Sequence, residues 1–96
     1  MKVLHLIRTL DDQRALATSQ AQAAAGHQVT LVLLHDAVLS DLAFPGPVYA
    51  VADDVAARGG QLRQPSSASG GSGWRQTVDY EAVVRLIEAH HRVISW

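Results

Sequence analysis

The stretch Gln28-Val29-Thr30-Leu31-Val32-Leu33-Leu34 (QVTLVLL) is apolar at every position from Leu31 onward. A strand with one face in water alternates apolar and polar residues, whereas a continuous run predicts a strand buried on both faces, as in a parallel sheet covered by helices. Lys2 to Ile7 (KVLHLI) is a second such run, placed to open the domain as a central strand. Between them lies a segment rich in strong helix formers, predicted as a helix from about Asp12 to Ala25. Thr9 and the Asp11-Asp12 pair supply capping side chains at its start, and Gly26 sits where a left-handed C-terminal cap falls. Ala15, Leu16, Ser19 and Ala23 share one face of this helix, and such small side chains suit close packing on a sheet.

Downstream, His35-Asp36 ends the buried strand, and Ala37 to Ala43 is long enough for about two helical turns. Phe44-Pro45-Gly46-Pro47 reads as a turn, Val48 to Val51 (VYAV) as a third strand, and Asp53-Asp54 as the cap of a short helix running to Arg58 and stopped by Gly59-Gly60. From Gln61 to Gln76 the sequence becomes rich in Gly, Ser, Pro and Gln, which predicts a long loop or lid carrying Trp74. Asp79 then caps a helix in which Tyr80, Val83, Val84 and Ile87 recur at i, i+3, i+4 and i+7, the pattern of a buried stripe. Glu81 and Arg85 form an i, i+4 pair, His90-His91 fall at the helix end, and Arg92 to Trp96 (RVISW) makes a final strand. The alternation predicts an α/β fold: a single small three-layer α/β/α domain over residues 1–96 with a mostly parallel sheet of four to five strands.

Composition narrows the function. The 96 residues hold 8 Lys plus Arg against 9 Asp plus Glu, with the basic residues scattered, so no electrostatic footprint for direct nucleic-acid binding is visible. The longest unbroken apolar run is far below the roughly 18 to 20 residues of a membrane span, and the chain is read as soluble and cytoplasmic. A domain of this size buries only about 60 to 65% of its unfolded surface, so a partner subunit would help to stabilise it. There is no cysteine, which excludes disulfides and thiolate metal sites within the chain.

The catalytic inventory is thin. Lys2 is the single lysine, no G-x-S-x-G elbow occurs, and the segment after the first strand, Arg8 to Asp12, has two carboxylates where a phosphate loop would carry glycines. No catalytic residue, cofactor site or metal site is assigned. His90-His91, adjacent on a helix, point about 100° apart and cannot act as an i, i+4 ligand pair. His35-Asp36 stands out because it lies at the C-terminal end of a buried strand, the edge where open α/β sheets place their ligands. It is read either as a satisfied polar pair or as a ligand or subunit contact, with Asp53 on the same edge. Trp74 and Trp96 are candidates for partner contact, since aromatic side chains dominate interface hot spots.

Three segments carry a resemblance: HDAVL (residues 35–39), VYAVADDVAARG (48–59) and DYEAVVRLIEAHHRVISW (79–96). Together they resemble the DsrE/DsrF/DsrH family, in its TusB-like (DsrH-like) branch, over about a third of the chain. The resemblance implies a small α/β/α fold and a place in a sulfur relay, serving either 2-thiolation of the tRNA wobble uridine or sulfur oxidation. It further implies a heterohexamer with DsrE/TusD-like and DsrF/TusC-like paralogues, in which the reactive cysteine belongs to the DsrE/TusD-like partner. Some DsrH-like members carry a cysteine of their own; this chain has no residue to which that role transfers. The loop at 61–76 is longer and richer in Gly and Ser than the branch suggests. The expectation is a non-catalytic subunit; the alternatives are a stand-alone small-molecule or anion-binding domain using His35, Asp36 and Asp53, and a homo-oligomer with no sulfur role.

Overall fold

A computed structural model describes residues 1–60 and 75–96. In chain order the elements are β1 (Lys2–Ile7), α1 (Gln13–Ala24), β2 (Gln28–Leu33), a 3-10 helix (His35–Leu39), β3 (Val48–Val51), α2 (Ala52–Ala57), β4 (Arg75–Val78), α3 (Tyr80–Ala89) and β5 (Arg92–Ser95). The strands form one sheet in the order β4-β3-β2-β1-β5, and every neighbouring pair is parallel. β2 is buried at five of its six positions, as a continuous apolar run requires when both faces are covered.

Two apolar clusters lie on opposite sides of the sheet. Val3, Ile7, Val29, Leu31, Leu33 and Ala50 pack with Ala15 of α1, Val38 of the 3-10 helix and Val55 of α2. Leu4, Val32 and Val51 face the other way and meet Val83 of α3, with Leu6, Tyr49, Val78 and Leu86 around them. The domain is therefore three-layered. α1 docks through Ala15 and Ser19, both fully buried, and the Ser19 hydroxyl donates to the Ala15 carbonyl at 2.8 Å, so its polarity is satisfied within the helix. Asp12 is the N-cap, accepting from the Ala15 N–H at 3.0 Å, and Gly26 takes the left-handed conformation (φ 95°) just beyond the end.

Several expectations are corrected. The segment 37–43 does not form two turns: a 3-10 helix over His35–Leu39 ends at Ser40, whose backbone is extended. Its geometry is held from outside, because Ser40 Oγ accepts the Asp11 N–H at 2.7 Å and Asp11 Oδ1 accepts the Asp41 N–H at 2.8 Å. Phe44, placed in a turn by its neighbours, is a core residue at 2% exposure. Neither Asp53 nor Asp54 caps α2; the N-cap is Val51 and both carboxylates lie in the first turn. The loop predicted at 61–76 gives way at Arg75, because Arg75 and Gln76 pair with Val48 and Tyr49 as the start of β4. The rest of that loop, Trp74 included, lies outside the described residues.

The largest correction concerns α3. Of the stripe assigned to the core only Val83 is buried; Tyr80, Val84 and Ile87 are 45%, 52% and 38% exposed. The helix is rotated so that Ala82, Val83, Leu86 and His90 turn inward. His90 anchors that arc: its Nδ1–H donates to the Leu86 carbonyl at 2.6 Å, and its Nε2 accepts from the Thr30 hydroxyl at 3.2 Å. Asp79 caps the helix as expected, accepting from the Ala82 N–H at 2.7 Å.

Candidate functional site

Parallel strands deliver their C-terminal ends, and the loops that follow, to one edge of the sheet. Here that edge receives His35 and Asp36 after β2, Asp53, Asp54 and Arg58 in and after α2, and Tyr80 at the start of α3. Asp54 is the hub. Its Oδ2 accepts the His35 backbone N–H at 3.0 Å and the Tyr80 hydroxyl at 3.2 Å. Its Oδ1 lies 3.8 Å from Arg58 Nη1 and 4.0 Å from His35 Nδ1. Arg58 bridges outward, donating from Nε to Asp36 Oδ1 at 3.0 Å and from Nη1 to the Asp54 carbonyl at 3.2 Å.

The cluster is graded in exposure. The Asp54 side chain is 12% exposed and Arg58 25%, while His35 and Asp36 stand at 57% and 71%. A carboxylate this far from water is tolerable because two N–H or O–H donors and a guanidinium surround it. His35 itself has φ 51°, a conformation that L-residues other than glycine rarely adopt. The hydrogen bond from its backbone N–H to Asp54 holds it there.

The Tyr80 hydroxyl faces this cluster although the residue is 45% exposed. Its pKa is raised above the usual phenol value, first by loss of water around the hydroxyl, then by the hydrogen bond to Asp54 and by the charges of Asp54 and Asp53, with Arg58 opposing. Tyr80 is thus a neutral donor at physiological pH. Asp53 is exposed and enters only through its charge. The arrangement is a fixed donor and acceptor array with one guanidinium, without a nucleophile poised beside a base. Among the described residues no group of three or more His, Asp or Glu side chains is arranged to hold a metal ion, and no helix is long and apolar enough to cross a membrane.

Of the residues singled out in the sequence, His35, Asp36 and Asp53 are brought to this one edge. Trp96 is elsewhere. It follows β5, two strands across the sheet from β2, and its indole N–H donates to His5 Nδ1 at 2.9 Å with the rings stacked at 6.0 Å. His5 is wholly buried, and because its Nδ1 accepts the indole N–H, its Nε2 carries the proton and donates to Gln22 Oε1 at 2.6 Å. Burial lowers the His5 pKa, and the Gln22 hydrogen bond partly offsets that. The Trp96 backbone is held by Leu6 and by Arg8, whose Nε donates to its carbonyl at 3.1 Å.

Asp54, Arg58 and Tyr80 were missed as site residues. The i, i+4 spacing of Asp54 and Arg58 was a readable signal for their pairing. Tyr80 was legible only as the first residue of a helix that starts at the C-terminal end of a strand. The opposite edge, where the strands begin, holds an open cleft of about 620 Å³ lined by Val29, Phe44 and Leu86 together with Lys2, His27 and His90. Both α1 and α3 end there, and cationic or donor side chains complement the partial negative charge of helix C-termini.

No protein-family model matches the chain, and no curated protein matches it in sequence. The crystal structure of the YchN protein from E. coli is similar in fold, with a TM-score of 0.71 at 14% sequence identity, over 100% of this chain and 99% of that one. At that identity the likeness speaks for architecture: the five-stranded parallel sheet and its helices form a small α/β domain with the DsrEFH-like fold.

Proposed function

We propose that this chain is a non-catalytic subunit of a DsrE-type sulfur-relay complex, assembled with DsrE/TusD-like and DsrF/TusC-like paralogues. The observation that carries the reading is a DsrEFH-like fold with a preorganised polar edge and no thiol anywhere in the sequence. In a relay step the acceptor thiolate attacks the outer sulfur of a donor persulfide, the S–S bond breaks, and the donor leaves as a thiolate. Serine and histidine cannot take the acceptor's place at neutral pH, so the reacting cysteine belongs to another chain. Asp54, Arg58 and Tyr80 then act by shape and hydrogen bonding at the subunit boundary. The pathway served is tRNA wobble-uridine 2-thiolation or sulfur oxidation.

Co-expression with cysteine-bearing paralogues from the same cells, followed by native mass measurement, tests the assembly. The expected result is a stable hetero-oligomer. Recovery of this chain free of every paralogue, all of them present and soluble, overturns it. A second reading, a small-molecule or anion-binding domain, is supported by the clustering of His35, Asp36 and Arg58 at the ligand-binding edge. It predicts ligand-induced thermal stabilisation that a His35→Ala/Asp36→Ala double variant loses; a stabilisation that persists in that variant rejects the site.

A further inference from the structure

Carboxylates gather at one edge of the sheet, where Asp36, Asp53 and Asp54 lie, and are missing from the cleft at the other. That cleft, of about 620 Å³ at the edge where the strands begin, falls within the roughly 300–1,000 Å³ of small-molecule sites. Among the described residues no Asp or Glu lines it. Its apolar wall comes from Val29, Phe44, Leu86 and the two prolines of Pro45-Gly46-Pro47. The wall is stiff. The proline rings fix φ at positions 45 and 47. Phe44 is 2% exposed, and its ring lies so close to Gly46 that a Cβ there would come within 2.7 Å of it. A cleft already formed in this way loses little to side-chain ordering when it is filled.

The polar residues of the lining divide into those already engaged and those left over. His90 donates from Nδ1 to the Leu86 carbonyl at 2.6 Å and accepts the Thr30 hydroxyl at Nε2 at 3.2 Å, so it is uncharged and both ring nitrogens are committed. Lys2 and His27 are different: among the described residues neither side chain has a hydrogen bond or an ion pair. The two are neighbours, because Lys2 is the register partner of Gln28 and His27 directly precedes Gln28. Lys2 is the single lysine of the chain, and its flexible four-carbon stem lets the ammonium swing over the mouth of the cleft. Glu88, the acid in the last turn of α3, is exposed and does not line the cleft. The helix ends nearby are capped from within the chain. The Ala21, Gln22 and Ala23 carbonyls of α1 accept the N–H groups of Ala25, Gly26 and His27, and the Leu86 and Ile87 carbonyls of α3 accept from His90. The charge of Lys2 is therefore left unmatched beside an apolar wall.

We infer that this cleft binds a small monocarboxylate with an apolar body, its carboxylate at Lys2 and His27 and its body against Phe44, Pro47 and Leu86. A carboxylate gains a charge-assisted hydrogen bond from the ammonium, while the apolar body is removed from water by the wall. One lysine matches one negative charge, and a dianion would carry a second charge into an apolar site without a partner. A cationic ligand would meet Lys2 and no acid. The inference is independent of the sulfur-relay reading, because the cleft lies at the opposite edge of the sheet from Asp54 and shares no residue with that cluster.

Titration of the full chain, uniformly labelled with ¹⁵N, with octanoate, octan-1-ol and octylammonium tests this by amide shifts. Octanoate should give saturable shifts at Lys2, His27, Gln28 and Ala89 with a dissociation constant below about 1 mM, and leave the amides of His35 and Asp54 in place. Octan-1-ol, with the same body and no charge, and octylammonium, with the opposite charge, should each bind at least about fivefold more weakly. Lys2→Met, which keeps the stem and removes the charge, should weaken octanoate by at least about fivefold as well. Ala89→Trp, at an exposed lining position, should block the cleft and abolish the shifts while the amide spectrum reports an intact fold. The inference is overturned by an absence of saturable shifts, by octan-1-ol or octylammonium binding as tightly as octanoate, by shifts confined to the Asp54 edge, or by an affinity indifferent to either variant.

Discussion

His5, within β1, and His35, just past the end of the neighbouring strand β2, are held in opposite ways. His5, inside β1, has no exposed surface and commits both ring nitrogens, one to Gln22 and one to Trp96. His35, at the exit of β2, keeps 57% of its side chain in the open and commits only its backbone N–H, to Asp54. A buried polar group left without partners costs far more than an exposed one, so the His5 triad is closed and internal. The Asp54 cluster is ordered by its buried centre, while its outer members, His35, Asp36 and Arg58, remain able to meet another molecule.

The sharpest way to break this contrast is to delete each imidazole. His5→Leu strands the Trp96 indole N–H and the Gln22 amide, and urea unfolding should show a loss of about 2–4 kcal/mol. His35→Gly keeps the positive φ at no steric cost and should change stability by no more than about 0.5 kcal/mol. Equal losses would erase the distinction. Asp54→Ala comes next, at about 1–3 kcal/mol, because the His35 N–H, the Tyr80 hydroxyl and Arg58 lose one shared acceptor.

Acid provides a smaller effect with a defined sign. The folded-state pKa of His5 lies below its unfolded value of 6.5, so the unfolded chain binds the proton first. The His5 contribution is whole above pH 6.5 and is lost as the pH falls below that value toward the folded pKa. Denaturation midpoints measured across this window should drop in wild type and lose that component in His5→Leu. At the alkaline end, Tyr80 should ionise above pH 10 in an ultraviolet titration, and Asp54→Asn should bring it back down. Tyr80→Phe, which removes one partly exposed hydroxyl, should cost less than about 1 kcal/mol in urea unfolding.

Much of the fold was legible because β1 and β2 are continuous apolar runs and α1 carries both a cap and a stop. The errors have specific causes. An i, i+3, i+4, i+7 pattern identifies a helix, but α3 has apolar residues around more than half its circumference. Which arc meets the sheet was decided by the Leu86 and His90 contacts, not by the pattern. β4, with the sequence RQTV, has no apolar run and became a strand through its pairing with β3. At that edge the strand ends were readable, so the position of His35 and Asp36 there was legible. Asp54 was lost to Asp53 because adjacent helical positions differ by about 100° in direction, and only the tertiary structure selects the one that meets His35.

The central claim is that the sulfur-bearing thiol of the working complex lies on a chain other than this one. Loading the purified hetero-complex with a labelled persulfide donor and locating the label by intact-subunit mass tests it directly. The account predicts labelled sulfur on the cysteine-bearing partner, none on this chain, and a transfer rate that falls when this chain is omitted; labelled sulfur on this chain, or a rate indifferent to its presence, would contradict it.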